Sequence, residues 1–184
     1  MYPIVDLVDH QTIAAVQKTE LLDLALESQA NIIFLLTGTI FNVKDLVERV
    51  RNSGKQVFLH MEFLEGIAAD RTGLSYVVEH VRPTGIISTR SNLIRFAKDM
   101  NLMAIQRMFL IDRNAVVKGI KAVEQSLPDA IEVMPGIMPR IIREMTNLTP
   151  LPIIAGGLVG TQKEIDEALE AGALAVSVGS SELW

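Results

Sequence analysis

PIIAGGLVGTQKE, residues 152–164, holds one whole unit of a fold. Pro152 to Gly157 is an apolar run of strand length. Gly156 and Gly157 permit a tight turn and a close approach of backbone to a ligand, and Thr161 with Glu164 forms a capping box that starts a helix. Strand, glycine turn and capped helix make a βα unit, and the fold depends on how often that unit recurs.

It recurs along the whole chain. Buried-strand runs stand at Asn31 to Gly38 (NIIFLLTG), Gln56 to Glu62 (QVFLHME), Thr84 to Arg90, Met103 to Leu110, Ala130 to Pro135 and Ala173 to Gly179 (ALAVSVG), with Pro3 to Val8 (PIVDLV) as a weaker eighth. Helical spacings fill the intervals. Asn42 caps Val43, Leu46, Val47 and Val50; Leu74, Val77, Val78 and Val81 stop before Pro83; Asp112 precedes Val116, Ile120 and Val123. Runs this continuously apolar suit parallel strands covered on both faces, and every crossover is long enough for a helix. The expectation is a single domain over residues 1–184, folded as a small (β/α)8 TIM-type barrel. A doubly wound open sheet is the competitor, because 184 residues fall below the usual lower bound of about 200 for a barrel. Few residues separate the last strand from Trp184, so the final helix should be short or missing. The wall exposed there could take a partner subunit, which makes a homo-oligomer possible.

Composition narrows the class. The chain has 49% hydrophobic residues and no cysteine, which excludes disulfides, thiolate metal sites and a cysteine nucleophile. It shows neither an apolar run of about 18 residues nor a signal-peptide pattern, so a cytoplasmic protein without membrane contact is expected. The net charge of −5 is unevenly spread: Arg90 to Lys121 carries +5, leaving −10 elsewhere. Such a basic stretch marks either a phosphate-rich partner or two solvated helix faces.

In a barrel, chemistry belongs at the carboxyl ends of the strands, where the βα loops converge. Strand alternation places Phe58, His60 and Glu62 on one face, Glu132 with Ala130 and Met134, Gln106 with Ala104 and Met108, and Ser88 with Arg90. His60, Glu62 and Glu132 could be an acid–base pair with a partner, three metal ligands, or hydrogen-bonding groups for a small polyol. No other histidine lies on a strand, which favours the polyol. Gly156 and Gly157 pair with Gly179-Ser180-Ser181 on the next strand, and such paired turns after strands seven and eight often hold phosphate. Alone, Gly157 would serve only the turn.

Five strings, ISTRSN (87–92), AIQRMFLIDR (104–113), IEVMPGIMP (131–139), AGGL (155–158) and ELW (182–184), closely resemble the glycerol-3-phosphate-responsive antiterminators, bacterial regulators of glycerol uptake operons. HMEFLEG (60–66) is in register, and the likeness runs from about Gly38 onward. It implies a non-enzymatic barrel that binds glycerol 3-phosphate and acts on leader messenger RNA to prevent early termination, with no cofactor beyond the effector. The phosphate would lie against Gly156, Gly157, Gly179 and Ser180, and the hydroxyls against His60, Glu62, Gln106 and Glu132. Arg90 or Arg107 would either add charge toward phosphate or pair with a glutamate. Two departures touch this end. Gly66-Ile67-Ala68-Ala69-Asp70 lacks the basic residue usual in that loop, and Gly179 stands where relatives more often carry a polar side chain.

RNA contact has one candidate surface in the sequence: Arg95, Lys98, Arg113, Lys118 and Lys121, on or at the starts of the helices after strands four and five. No RNP or KH motif is present. The alternative function is a small barrel isomerase, aldolase or phosphodiesterase acting on a phosphorylated three-carbon compound. His60 or Glu62 would then be the base and Glu132 a partner acid. The lack of a strand-end lysine and of a second histidine in the mouth weighs against it.

Overall fold

A computed structural model describes residues 4–184. Eight parallel strands close into a barrel in sequence order: β1 (Thr12–Val16), β2 (Ile32–Leu35), β3 (Gln56–His60), β4 (Gly85–Ser88), β5 (Met103–Phe109), β6 (Ala130–Met134), β7 (Ile153–Gly156) and β8 (Ala175–Val178). The seam pairs Thr12 with Val176 and Ala14 with Val178. Around it run α2 (Leu22–Glu27), α3 (Val43–Asn52), α4 (Arg71–Tyr76, continued by a π turn to Val81), α5 (Ser91–Asp99), α6 (Arg113–Ser126), α7 (Pro139–Leu148) and α8 (Gln162–Glu170). The expected barrel is therefore present, and the open sheet is excluded.

The first strand lies elsewhere than expected. Ile4–Leu7 is a short helix, α1, and Pro3 is outside the described residues. Ile4 is buried in the cluster that fills the barrel, with Ile13, Ile32 and Met103, and Leu7 and Val8 pack against it. These apolar residues plug the amino end of the barrel. The true β1, TIAAV, turns Ala14 toward the helices and Ala15 into the barrel, both buried.

Alternation sorts the core into layers. Ala15, Phe34, Phe58, Ile87, Ile105 and Ile154 fill the interior, while Ala14, Ile33, Val57, Ile86, Val133 and Ala155 face the helices. Phe34 and Phe58 meet edge to face at 5.9 Å, fully buried, each stabilising the barrel by roughly 1.5–3 kcal/mol. The expected shortening at the end is observed: after β8 there is only a 3-10 turn, Ser181–Leu183. Trp184 packs against both outer clusters, and its indole donates to the Val178 carbonyl at 2.7 Å. Asn42 does precede α3, but its side chain accepts from the Thr39 amide, 2.7 Å away, instead of capping the helix.

Candidate functional site

The β5–β8 half of the mouth is built on a buried ion pair. Arg107 points inward from β5, and its Nε donates to Glu132 Oε2 on β6 at 2.6 Å. Ser177 Oγ on β8 donates to the other carboxylate oxygen at 2.7 Å. Both oxygens of Glu132, which is fully buried, are thus engaged. Gly156 is what makes room: a Cβ there would stand 2.6 Å from Glu132 Oε1 and against Ser177 Oγ. Arg107 Nη2 is buried with no hydrogen-bond partner. Arg107 lines a cavity of about 180 Å³ with Gln17, Met134, Gly157, Ser177, Gly179 and Ser180. Gly157 has φ +76°, a left-handed turn that side chains resist.

The β3–β4 half is different. Glu62 lies in the 3-10 turn Met61–Phe63, and its Oε1 accepts from Ser88 Oγ at 2.6 Å, the Thr89 amide at 3.0 Å and Thr89 Oγ1 at 3.1 Å. Its Oε2 is buried without a hydrogen bond. Desolvation pushes this carboxyl up, but the Ser88 bond, the neighbouring His60 and backbone amides together hold it below the usual carboxylate range. His60 is 2% exposed, stacked on Phe63 at 4.1 Å. Burial first, then the charge of Arg107, push its imidazole down to about 4 against an opposing pull from Glu62. It is neutral at pH 7, and neither ring nitrogen has an aligned hydrogen bond, although Nδ1 lies 3.2 Å from Glu62 Oε2.

One half thus offers a cationic donor beside the glycine turns, and the other offers an anionic acceptor and a neutral imidazole. Sequence comparison places this mouth in a family. Residues 12–184 match the family described as Glycerol-3-phosphate responsive antiterminator.

The chain belongs to the glycerol-3-phosphate responsive antiterminator family.

Among antiterminator relatives, a glycerol uptake operon antiterminator regulatory protein from Listeria monocytogenes str. 4b F2365 superposes with a TM-score of 0.92. It is 34% identical, over 96% of this chain and 95% of that one. An antiterminator-related protein from Thermotoga maritima MSB8 gives 0.84 at 30% identity, over 94% and 96% of the respective chains. The uncharacterized protein YgcP of Escherichia coli K12 is 33% identical over 94% of this chain and 90% of its own length.

Within this barrel the residues expected at the site divide. Arg107, Gly157, Gly179 and Ser180 do come together in one cavity. Gln106 does not join them. It faces outward, its amide donating to Ser91 Oγ at 2.8 Å and accepting from Ser126 Oγ at 2.6 Å, so it ties β5 to α5 and α6. The face shared with Ala104 and Met108 is the helix face, and the inward residue is its neighbour Arg107. Arg90 pairs with neither glutamate; it donates to the Ala69 carbonyl at 3.1 Å and tethers the third βα loop at the Ala68 departure. Gly156 shapes the ion pair beneath the cavity, and Glu132 spends both oxygens on protein partners. The start of α8 is already occupied, because Glu164 Oε2 accepts from the Gly160 and Thr161 amides at 2.8 and 3.0 Å. Those two bonds, with Thr161, lower the Glu164 pKa.

Sequence reasoning missed Gln17, Ser177 and Met134. Gln17 was hidden because β1 had been placed upstream; it follows TIAAV and would meet a Cβ on Gly179 at 3.3 Å. Among the described residues no group of three His, Cys, Asp or Glu could hold a metal, and the His60, Glu62 and Glu132 set does not converge. Of the basic residues, Arg95, Lys118 and Lys121 are exposed on α5 and α6, Lys98 is bound to Asp129 at 2.6 Å, and Arg113 is paired with Glu144 at the mouth. Among the described residues no helix is long and apolar enough to cross a membrane.

Proposed function

We propose that this chain is a transcription antitermination regulator that binds glycerol 3-phosphate in its barrel mouth and acts on the leader mRNA of glycerol-utilisation genes. One observation carries the ligand reading: Arg107 is buried, held by Glu132, keeps an unpartnered Nη2, and lines a cavity bordered by Gly157, Gly179 and Ser180. An unpaired buried donor is costly, and a phosphate oxygen would satisfy it with a charge-assisted bond. The hydroxyl end would turn toward Glu62 Oε2 and His60, which lack partners in the same mouth.

Family membership supports a regulator over an enzyme, and so does the chemistry of the polar groups. Glu132 is committed to Arg107 and Ser177, and Glu62 is fixed at one oxygen by three donors. A carboxylate so well hydrogen-bonded holds its charge and makes a poor proton acceptor. The effector acts on RNA by linkage: it binds the RNA-competent state more tightly, and RNA raises effector affinity by the same factor.

Calorimetry with glycerol 3-phosphate, glycerol and inorganic phosphate tests the ligand reading. Binding of the first alone is expected. Equal affinity for phosphate and glycerol 3-phosphate would reduce the mouth to a generic anion site, and unchanged effector affinity with saturating leader RNA would remove the coupling.

A further inference from the structure

Outside the effector cavity, the same face carries a second opening. Between the loop that follows β5 and the loop that follows β6 lies a cleft of about 310 Å³. Its floor is apolar, made by Leu110, Val116, Met138 and Ile141, and its sides carry Arg113 and Arg140. Ile111, 85% exposed, stands at the lip.

The two arginines are unexpected as stability features. Each lies in the first turn of its helix, where the macrodipole favours acids, and the first turns of α6 and α7 hold no acidic residue. Asp23, Asp45 and Glu164 stand in the first turns of α2, α3 and α8, whereas α4 and α5, like α6 and α7, have no acid there. Arg140 has no hydrogen bond or ion pair among the described residues. Arg113 is held across the cleft by Glu144 through one nitrogen and keeps its other donors. Asp112 also lines the cleft, but its carboxylate is turned into α6, accepting from the Ala115 amide at 2.7 Å.

Aromatic exposure follows the same face. The exposed phenylalanines Phe41, Phe63 and Phe109 all lie at carboxyl ends of strands or on the loops that follow them. An apolar floor flanked by guanidinium groups suits single-stranded nucleic acid, whose splayed-out bases pack between apolar or aromatic side chains and arginine planes while arginines take the phosphates. A duplex offers no free base to such a cleft.

We propose that this cleft is a nucleobase site for single-stranded RNA, with the base on the apolar floor and the flanking phosphates on Arg113 and Arg140. The assignment rests on RNA being the partner, as proposed above, and it moves the contact from the outer wall of α5 and α6, with Lys118 and Lys121, to the mouth. It also supplies a physical link to the effector. Met134 lines the effector cavity, and its carbonyl accepts from the amide of Leu110, in the floor of the cleft, at 2.8 Å. The linings of the two openings are thus joined by a backbone hydrogen bond between neighbouring strands.

The test uses the full chain with saturating glycerol 3-phosphate and a short fluorescein-labelled single-stranded RNA, read by anisotropy across a salt series. The double variant R113Q/R140Q and, separately, I111D should each weaken binding tenfold or more. The arginine variant should also lower the salt slope by about 1.4, or about 0.7 for each of two phosphates on a single strand. Calorimetric affinity for glycerol 3-phosphate without RNA should stay unchanged, which also shows that the variants fold. R140Q alone, which leaves the Arg113–Glu144 pair intact, should give part of the loss. Wild-type binding by all these variants, or a loss confined to K118Q/K121Q, overturns the cleft while leaving RNA as the partner. Failure of the unaltered protein to bind any RNA overturns both. Concentration-dependent self-association that I111D abolishes, with RNA binding intact, assigns the cleft to a second copy and overturns the proposal.

Discussion

The two halves of the barrel mouth solve the same problem, polar groups in a buried place, in opposite ways. On the β5–β8 side, charge is neutralised within the protein: Arg107 and Glu132 pair at 2.6 Å, and Ser177 completes the carboxylate. On the β3–β4 side, charge is avoided on one partner: His60 gives up its proton, and Glu62 is fixed by Ser88 and Thr89. The difference teaches a polarity. A ligand with an anion at one end and hydroxyls at the other meets a donor in the first half and acceptors in the second.

The strongest way to break this contrast is E132A. It leaves Arg107 buried and unpaired, and the loss of a partner from a buried pair costs about 3–5 kcal/mol. Denaturant unfolding should show that loss, while E62A, in the more exposed half, should cost well under half as much.

Next comes pH. The folded-state pKa of His60, about 4, lies below its unfolded value near 6.5, so the unfolded chain takes up the proton first. Stability is therefore fully present above about pH 6.5 and falls as pH drops toward 4, by on the order of 3 kcal/mol. H60N should flatten that part of the profile and leave the Arg107 half untouched. A wild-type profile as steep in H60N as in the parent would show that the histidine is not the titrating group.

A third variant sharpens the ligand side. R107Q should lower affinity for glycerol 3-phosphate by about 1.5–3 kcal/mol, the worth of a hydrogen bond to a charged group, in calorimetry. E62Q should cost about 1 kcal/mol, because the amide can still bond a hydroxyl. The smallest effect belongs to T161A. Loss of the cap should cost about 1 kcal/mol of stability with no change in ligand binding, since Glu164 already occupies that helix start. A drop in affinity there would return the phosphate to α8.

The barrel was legible because its strands are nearly continuous apolar runs with capped helices between them. That same continuity hid which face is inward. On β5 both faces are buried, so nothing in MAIQRMF distinguishes Gln106, which ties helices together, from Arg107, which reaches the mouth. Glu62 stands beside His60 as expected but by another route: β3 ends at His60, and Glu62 is carried by the following 3-10 turn rather than by strand alternation. At the front of the chain, IVDLV and TIAAV are both mostly apolar, and hydropathy cannot tell a plug from a stave. The paired glycines after β7 and β8 were read correctly as neighbours. The sequence did not reveal that Gly156 serves the carboxylate beneath and Gly157 the opening above.

Trp184 is the only tryptophan in the chain, and it sits where β8 meets β1, pinned to Val178 and touching both outer clusters. The barrel thus carries an optical gauge at its own seam. Indole emission reports closure of the cylinder without any label, and it should change last in refolding if the first and eighth strands are the final pair to join.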